Sequence, residues 1–209
     1  MKQASRGFTI IEVLMFLAIS GVMFTIAFWG TQSTQDNVRF RDSLNSIEAK
    51  LREVFDNVDD GYFANSGGYE CTPSGSDWVS SGSGGGNSSC IFIGKEIHFS
   101  DSSTMAIETI LGDRSNPATT NKPNELVESY QIKNSVQFDR GTATSIKAIR
   151  SADAGSDIRA SRQKFSGGTW GEIGNSPVTF CFKLGDKLGS VTVLSNDITV
   201  QYARTACPS

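Results

Sequence analysis

One carboxylate constrains this chain more than any other residue. Glu12 is the only ionisable side chain among the 22 residues from Phe8 to Trp29. As a helix rising about 1.5 Å per residue, this segment reaches about 33 Å, enough to cross a bilayer core. A lone carboxylate in hydrocarbon costs about 2.5–3.5 kcal/mol on insertion scales, so it needs a partner. A cut between Gly7 and Phe8 would supply one, a positive amine four residues before Glu12. That cut accounts for both the glycine and the acid. It also implies that copies of the chain pair Glu12 with a neighbour's amine in a lipid-like environment.

These residues carry a family resemblance. Basic Lys2 and Arg6, then Gly7, Phe8, Thr9 and Glu12, lead into the apolar run Val13-Leu14-Met15-Phe16-Leu17-Ala18-Ile19. The pattern resembles a class III signal peptide followed by the start of a type IV pilin or a type II secretion pseudopilin. The resemblance implies that prepilin peptidase cleaves after Gly7 and N-methylates Phe8, and that Glu12 is the assembly carboxylate. Two plainer readings fit less well. A secretory signal wants small residues after its apolar run, where this chain offers Ala27-Phe28-Trp29-Gly30-Thr31. A simple signal anchor explains the length but not Glu12.

Charge agrees with an exported, anchored protein. The chain carries −3, and its side chains without Lys2 and Arg6 carry −5. Beyond the leader the next basic residues are Arg39 and Arg41. That asymmetry places the N-terminus in the cytoplasm and the remainder outside. From Gly61 onward 13 basic residues face 14 acidic ones, so nucleic-acid binding is not expected, although a local basic patch could form on folding. Cys71, Cys90, Cys181 and Cys207 all follow the apolar segment and point to an oxidising compartment. Three pairings are open. The two local ones, Cys71 with Cys90 and Cys181 with Cys207, are the expectation, each stabilising by about 3 kcal/mol. With one histidine and no Cys-x-x-Cys, a zinc site is not expected.

Val38, Phe40, Leu44, Ile47, Leu51, Val54, Phe55 and Val58 continue a helical stripe, with Arg41, Asp42, Lys50, Arg52 and Asp56 opposite. No proline precedes Pro73, so one helix from Phe8 to about Asp59 is predicted, with Asp60-Gly61 as its stop. Many major pilins carry a proline within the anchor. Its lack here favours a minor subunit, and Gly21 reads either as a glycine tolerated within a membrane helix or, with Ala18, as a small residue that lets helices approach closely. Residues 61–90 read as the loosest part, with a Gly/Ser-rich loop over 80–89. Strands are predicted at 90–94, 96–99, 105–111, 126–133, 136–138, 145–150, 178–184, 190–194 and 198–202. A Gly/Ser/Asp-rich connection is predicted before Val178, and Gly185 to Gly189 joins the last hairpin.

The fold class is therefore α+β: a long N-terminal helix packed on an antiparallel sheet domain, pilin-like. The expected organisation is a leader over 1–7, a membrane or filament-core helix over 8–30, its amphipathic continuation over 31–60, and an extracytoplasmic β-rich domain over 61–209. Catalytic signatures are lacking. His98 sits in a strand pattern, no Gly-x-Ser-x-Gly or His-Glu-x-x-His occurs, and Asp56, Asp59 and Asp60 lack calcium-loop spacing. No cofactor, metal or enzymatic activity is expected. The expected role is a minor pilin, with a minor pseudopilin or a tip adhesin or DNA-uptake pilin as alternatives. Its expected partners are prepilin peptidase, other pilin subunits and, before assembly, the membrane.

Overall fold

The computed structural model describes residues 9–61, 69–71, 78–80, 90–113, 120–123, 126–152, 158–174, 176–202 and 207. One helix, α1 (Ile10–Asp59), precedes all the described strands. β1 (Tyr69–Cys71) and β2 (Trp78–Ser80) form a small hairpin. In a seven-stranded sheet, β10 (Thr169–Glu172), β9 (Ile158–Ser166), β8 (Ser145–Ala152), β3 (Cys90–Phe99) and β4 (Thr104–Asp113) lie side by side in that order. β5 (Thr120–Asn121) and β6 (Val127–Gln131) share the far edge of β4. A four-stranded sheet runs β13 (Ile198–Gln201), β12 (Lys187–Val193), β11 (Val178–Leu184), β7 (Gln137–Gly141). All these pairings are antiparallel, giving an α+β architecture.

The chain divides into two units, Met1–Arg41 and Asp42–Ser209. In the second, Leu44, Ile47, Leu51, Val54, Phe55 and Val58 are all exposed by 1% or less. Their three- and four-residue spacing puts them on one helix face, each worth about 1.5–3 kcal/mol on burial. Ser43 shares that face, its hydroxyl donating to the Lys133 carbonyl at 2.8 Å. On the two flanks of that face, Lys50 reaches Glu128 of β6 at 2.6 Å, and Arg52 reaches Asp197 beside β13 at 2.9 Å. The helix thereby touches both sheets. Val38, assigned by spacing to the buried stripe, is instead 52% exposed.

The helix ends where the sequence suggests. Gly61 takes φ 69°, and its N–H donates to the Val58 carbonyl at 3.1 Å. This is the inner bond of a Schellman-type cap, which needs a left-handed residue there.

Four strand expectations need correction. The two strands expected over 90–99 are one, with the pairing to β4 shifting register between Phe92 and Gly94. The break seen in the sequence is a bulge, not an end. Residues 61–90 contain the β1–β2 hairpin; residues 81–89, most of the expected loop, lie outside the described residues. The connection before Val178 contains the β9–β10 hairpin. Gly167 and Gly168 turn it with φ 61° and 85°, the positive pair that a two-residue type I′ turn requires. The last hairpin also turns more tightly than expected: β12 resumes at Lys187, leaving only Gly185-Asp186 between the strands.

An aromatic cluster joins the two larger sheets. Phe99, at the end of β3, stacks on Phe138 of β7 at 4.1 Å. Its edge contacts with Phe180 and Phe182 of β11 lie at 5.1 and 5.6 Å.

Candidate functional site

Two regions carry functional chemistry, one in each unit. In the first, Thr9 precedes the helix, and its carbonyl accepts from the N–H groups of Glu12 at 3.1 Å and Val13 at 3.3 Å. Thr9 is thus the N-cap residue and Glu12 the third helical one, the spacing of a capping box. A carboxylate there also meets the positive end of the helix dipole. From Ile10 to Phe28 runs a 19-residue stretch of mean hydropathy 2.3 with none of it buried. Exposed Ile11, Leu14, Phe16 and Phe24 belong to it. The helix passes through Gly21 unbroken, and a Cβ there would meet nothing within 4 Å. Gly7 and Phe8 lie outside the described residues.

In the second unit, alternation sorts the seven-stranded sheet into two faces. Ile97, Ile107 and Ile146 point inward to the core. Arg162 of β9 does too, its guanidinium 4.4 Å from the Phe55 ring. Glu96 and His98 of β3 point outward, as do Glu108 opposite Glu96 on β4 and Lys147 opposite it on β8. Across the next strands Phe165 and Trp170 share this outer face, 5.2 Å apart. Glu96, His98, Lys147, Phe165 and Trp170 border an open groove of about 940 Å³.

The groove's electrostatics are asymmetric. Lys122, just past β5, lies 2.6 Å from Glu96 and 3.0 Å from Glu108. Burial works against the Lys122 ammonium, but the two glutamates together outweigh it and raise its pKa. His98 Nδ1 lies 4.0 Å from Glu108. Glu96, His98 and Glu108 each present a ligand atom within 4.8 Å of the others. That spacing could suit a divalent cation, but the Lys122 ammonium already pairs with both carboxylates. Lys147 differs. Its Nζ lies 4.2 Å over the Trp170 ring, and among the described residues no carboxylate pairs with it. Burial lowers its pKa, with Glu96 partly opposing and Lys122 adding to the shift.

Three of the cysteines are seen in disulfide bonds. Cys181, in the middle of β11, is bonded to Cys207, with Cα atoms 6.0 Å apart. Cys90 is disulfide-bonded as well. The side chain of Cys71 lies outside the described residues.

Local spacing puts His98 on a strand, but the groove is not visible in it. The alternation Glu96-Ile97-His98 was the available signal. Lys122, Lys147 and Trp170 reach the same face only through strand pairing, which no local pattern reveals.

Residues 2–28 match the family described as the prokaryotic N-terminal methylation motif. The N-terminus is a type IV pilin-like class III signal peptide. The motif implies processing by prepilin peptidase and assembly with pilin subunits, and with the apolar helix it indicates membrane anchoring. No curated protein and no solved structure matches the chain.

Proposed function

We propose that the chain is a minor pilin of a type IV pilus-like filament, with a pilin-like fold. It is cleaved after Gly7, methylated at Phe8 and assembled through the apolar half of α1. The observation that carries this reading is the methylation motif continuing into an unburied 19-residue apolar helix with one carboxylate. Glu12 pairs with the Phe8 amine of a neighbouring subunit. The β-rich domain lies outside the membrane and serves a structural rather than catalytic role. The uninterrupted helix through Gly21 supports a minor over an abundant subunit. A pseudopilin of a type II secretion system uses the same N-terminal chemistry and is the alternative. Subunit labelling on purified pili separates the two, and labelling confined to the tip would favour an adhesin or DNA-uptake role.

The first experiment is the intact mass of membrane-extracted protein from cells with and without prepilin peptidase. Loss of Met1–Gly7 and gain of one methyl, only with the peptidase, is expected. An uncut chain, or a cut beyond Trp29, overturns the proposal. The second compares Glu12→Gln with Glu12→Ala. Glutamine can still close a capping box but carries no charge. Both variants should assemble poorly if Glu12 acts by ion pairing. Normal assembly of Glu12→Gln would reduce the residue to a helix cap.

A further inference from the structure

We infer that the groove on the outer face of the seven-stranded sheet binds an acidic saccharide, a sugar ring carrying a carboxylate. This inference does not depend on the anchor. The groove's volume of about 940 Å³ falls within the range of small-ligand sites. It lies over β3 and β8, both paired on each side, so a ligand meets side chains rather than a free strand edge. Recognition by strand addition, the common way of holding an extended peptide, is therefore closed here.

The remaining chemistry suits a sugar. Lys147 and Arg150 supply N–H donors, Glu96 supplies carboxylate acceptors, and the hydroxyls of Thr144 and Ser145 do both. Adjacent sugar hydroxyls also donate and accept, so they match a surface on which donors and acceptors interleave. Phe165 and Trp170 provide an apolar wall for the C–H face of a ring.

Charge selects the acidic form. Lys122 offsets one of the two negative charges of Glu96 and Glu108, while Lys147 has no carboxylate within ion-pair distance among the described residues and Arg150 adds a third cation to the groove lining. Its half-buried ammonium has exchanged water for the Trp170 ring. A ligand carboxylate approaching Lys147 would meet a partly desolvated cation, where a charge-assisted hydrogen bond is stronger than in water.

The test titrates full-length protein in detergent micelles with trigalacturonate, maltotriose and tetraglutamate, followed by calorimetry. Trigalacturonate should bind at least about tenfold tighter than either other probe, with the advantage falling as salt rises. Lys147→Met should remove about tenfold of the trigalacturonate affinity and leave maltotriose unchanged. Trp170→Ala should weaken both sugars. If that variant misfolds, Lys147→Met alone decides, with its thermal unfolding measured alongside. No saccharide binding at about 10 mM overturns the inference. So does tetraglutamate binding as tightly as trigalacturonate, which would make the groove a site for acidic peptides. Unchanged trigalacturonate affinity in Lys147→Met would remove the anion contact on which the inference rests.

Discussion

At the scale of single residues, the most exacting positions lie where the sheet leaves least freedom. Glu96 keeps only 9% of its side chain exposed, and Lys122 balances it. Lys122→Met would leave that carboxylate buried and poorly paired. Removing one partner of a fully buried pair costs about 3–5 kcal/mol. Because Lys122 is itself 39% exposed, about 1–3 kcal/mol is expected instead. Adding Glu96→Gln should recover most of the loss, and urea unfolding of the single and double variants measures both steps. Gly94 is constrained by space rather than charge. A Cβ there would lie 2.0 Å from the Ala148 carbonyl oxygen, and backbone cannot swing aside as a flexible side chain can. Gly94→Ala should force β3 and β8 apart and lower stability by about 2 kcal/mol or more. An unfolding midpoint equal to wild type would mean that the bulge relaxes freely.

At the scale of elements, the helix was the more legible half of the fold. Its apolar positions repeat locally, its stop glycine is a local signal, and both survive in the structure. The strands were legible where both neighbours bury them, as in Val178–Leu184, and obscure where polar residues carry the pairing. Ile158–Ser166 includes Arg159, Arg162, Gln163 and Lys164, so its periodicity is faint, and only the Gly167-Gly168 turn announces it. The groove was less legible still, because its members come from β3, β4, β8, β9, β10 and the residue after β5. The helix end also holds an electrostatic conflict. The last turn has no basic residue, while Asp56 and Asp59 meet the negative end of the dipole. Arg162 and Arg150 approach from the sheet. Burial nevertheless raises the Asp59 pKa, the arginines only partly opposing it and Asp56 and Asp60 adding to it. An acid with a raised folded pKa binds protons more readily when native. Stability therefore falls as pH rises from 3.8 through that higher value. Asp59→Asn should remove this fall and stabilise the protein at neutral pH by about 0.3–1 kcal/mol, the range for charges at helix ends near the surface. Thermal unfolding compared between acid and neutral pH checks it. A variant less stable than wild type at neutral pH would show that the attraction to Arg162 outweighs the repulsion.

At the scale of the molecule, the question is what makes one cooperative body of the two larger sheets. The first unit contributes an apolar helix surface that its own residues leave uncovered. In the second unit, the Cys181–Cys207 bond works within one region: it ties the chain beyond β13 to β11 of the same sheet. Closing a loop of 26 residues constrains the unfolded chain by about 3 kcal/mol. It does little to fasten one sheet to the other. That task falls to the inner face of α1 and to Phe99. This ring belongs to the seven-stranded sheet, yet its aromatic neighbours, Phe138, Phe180 and Phe182, all belong to the four-stranded one. Phe99→Ala should therefore cost about 2–4 kcal/mol, somewhat below a fully buried phenylalanine because Phe99 is half-buried. The decisive readout is amide exchange rather than the midpoint. If the ring couples the sheets, protection should fall together in β8 and in β12, strands on opposite sides of the contact that do not touch Phe99 through their own pairing. Protection lost in β7 and β11 alone would mean a local cavity, leaving the helix to hold the sheets together.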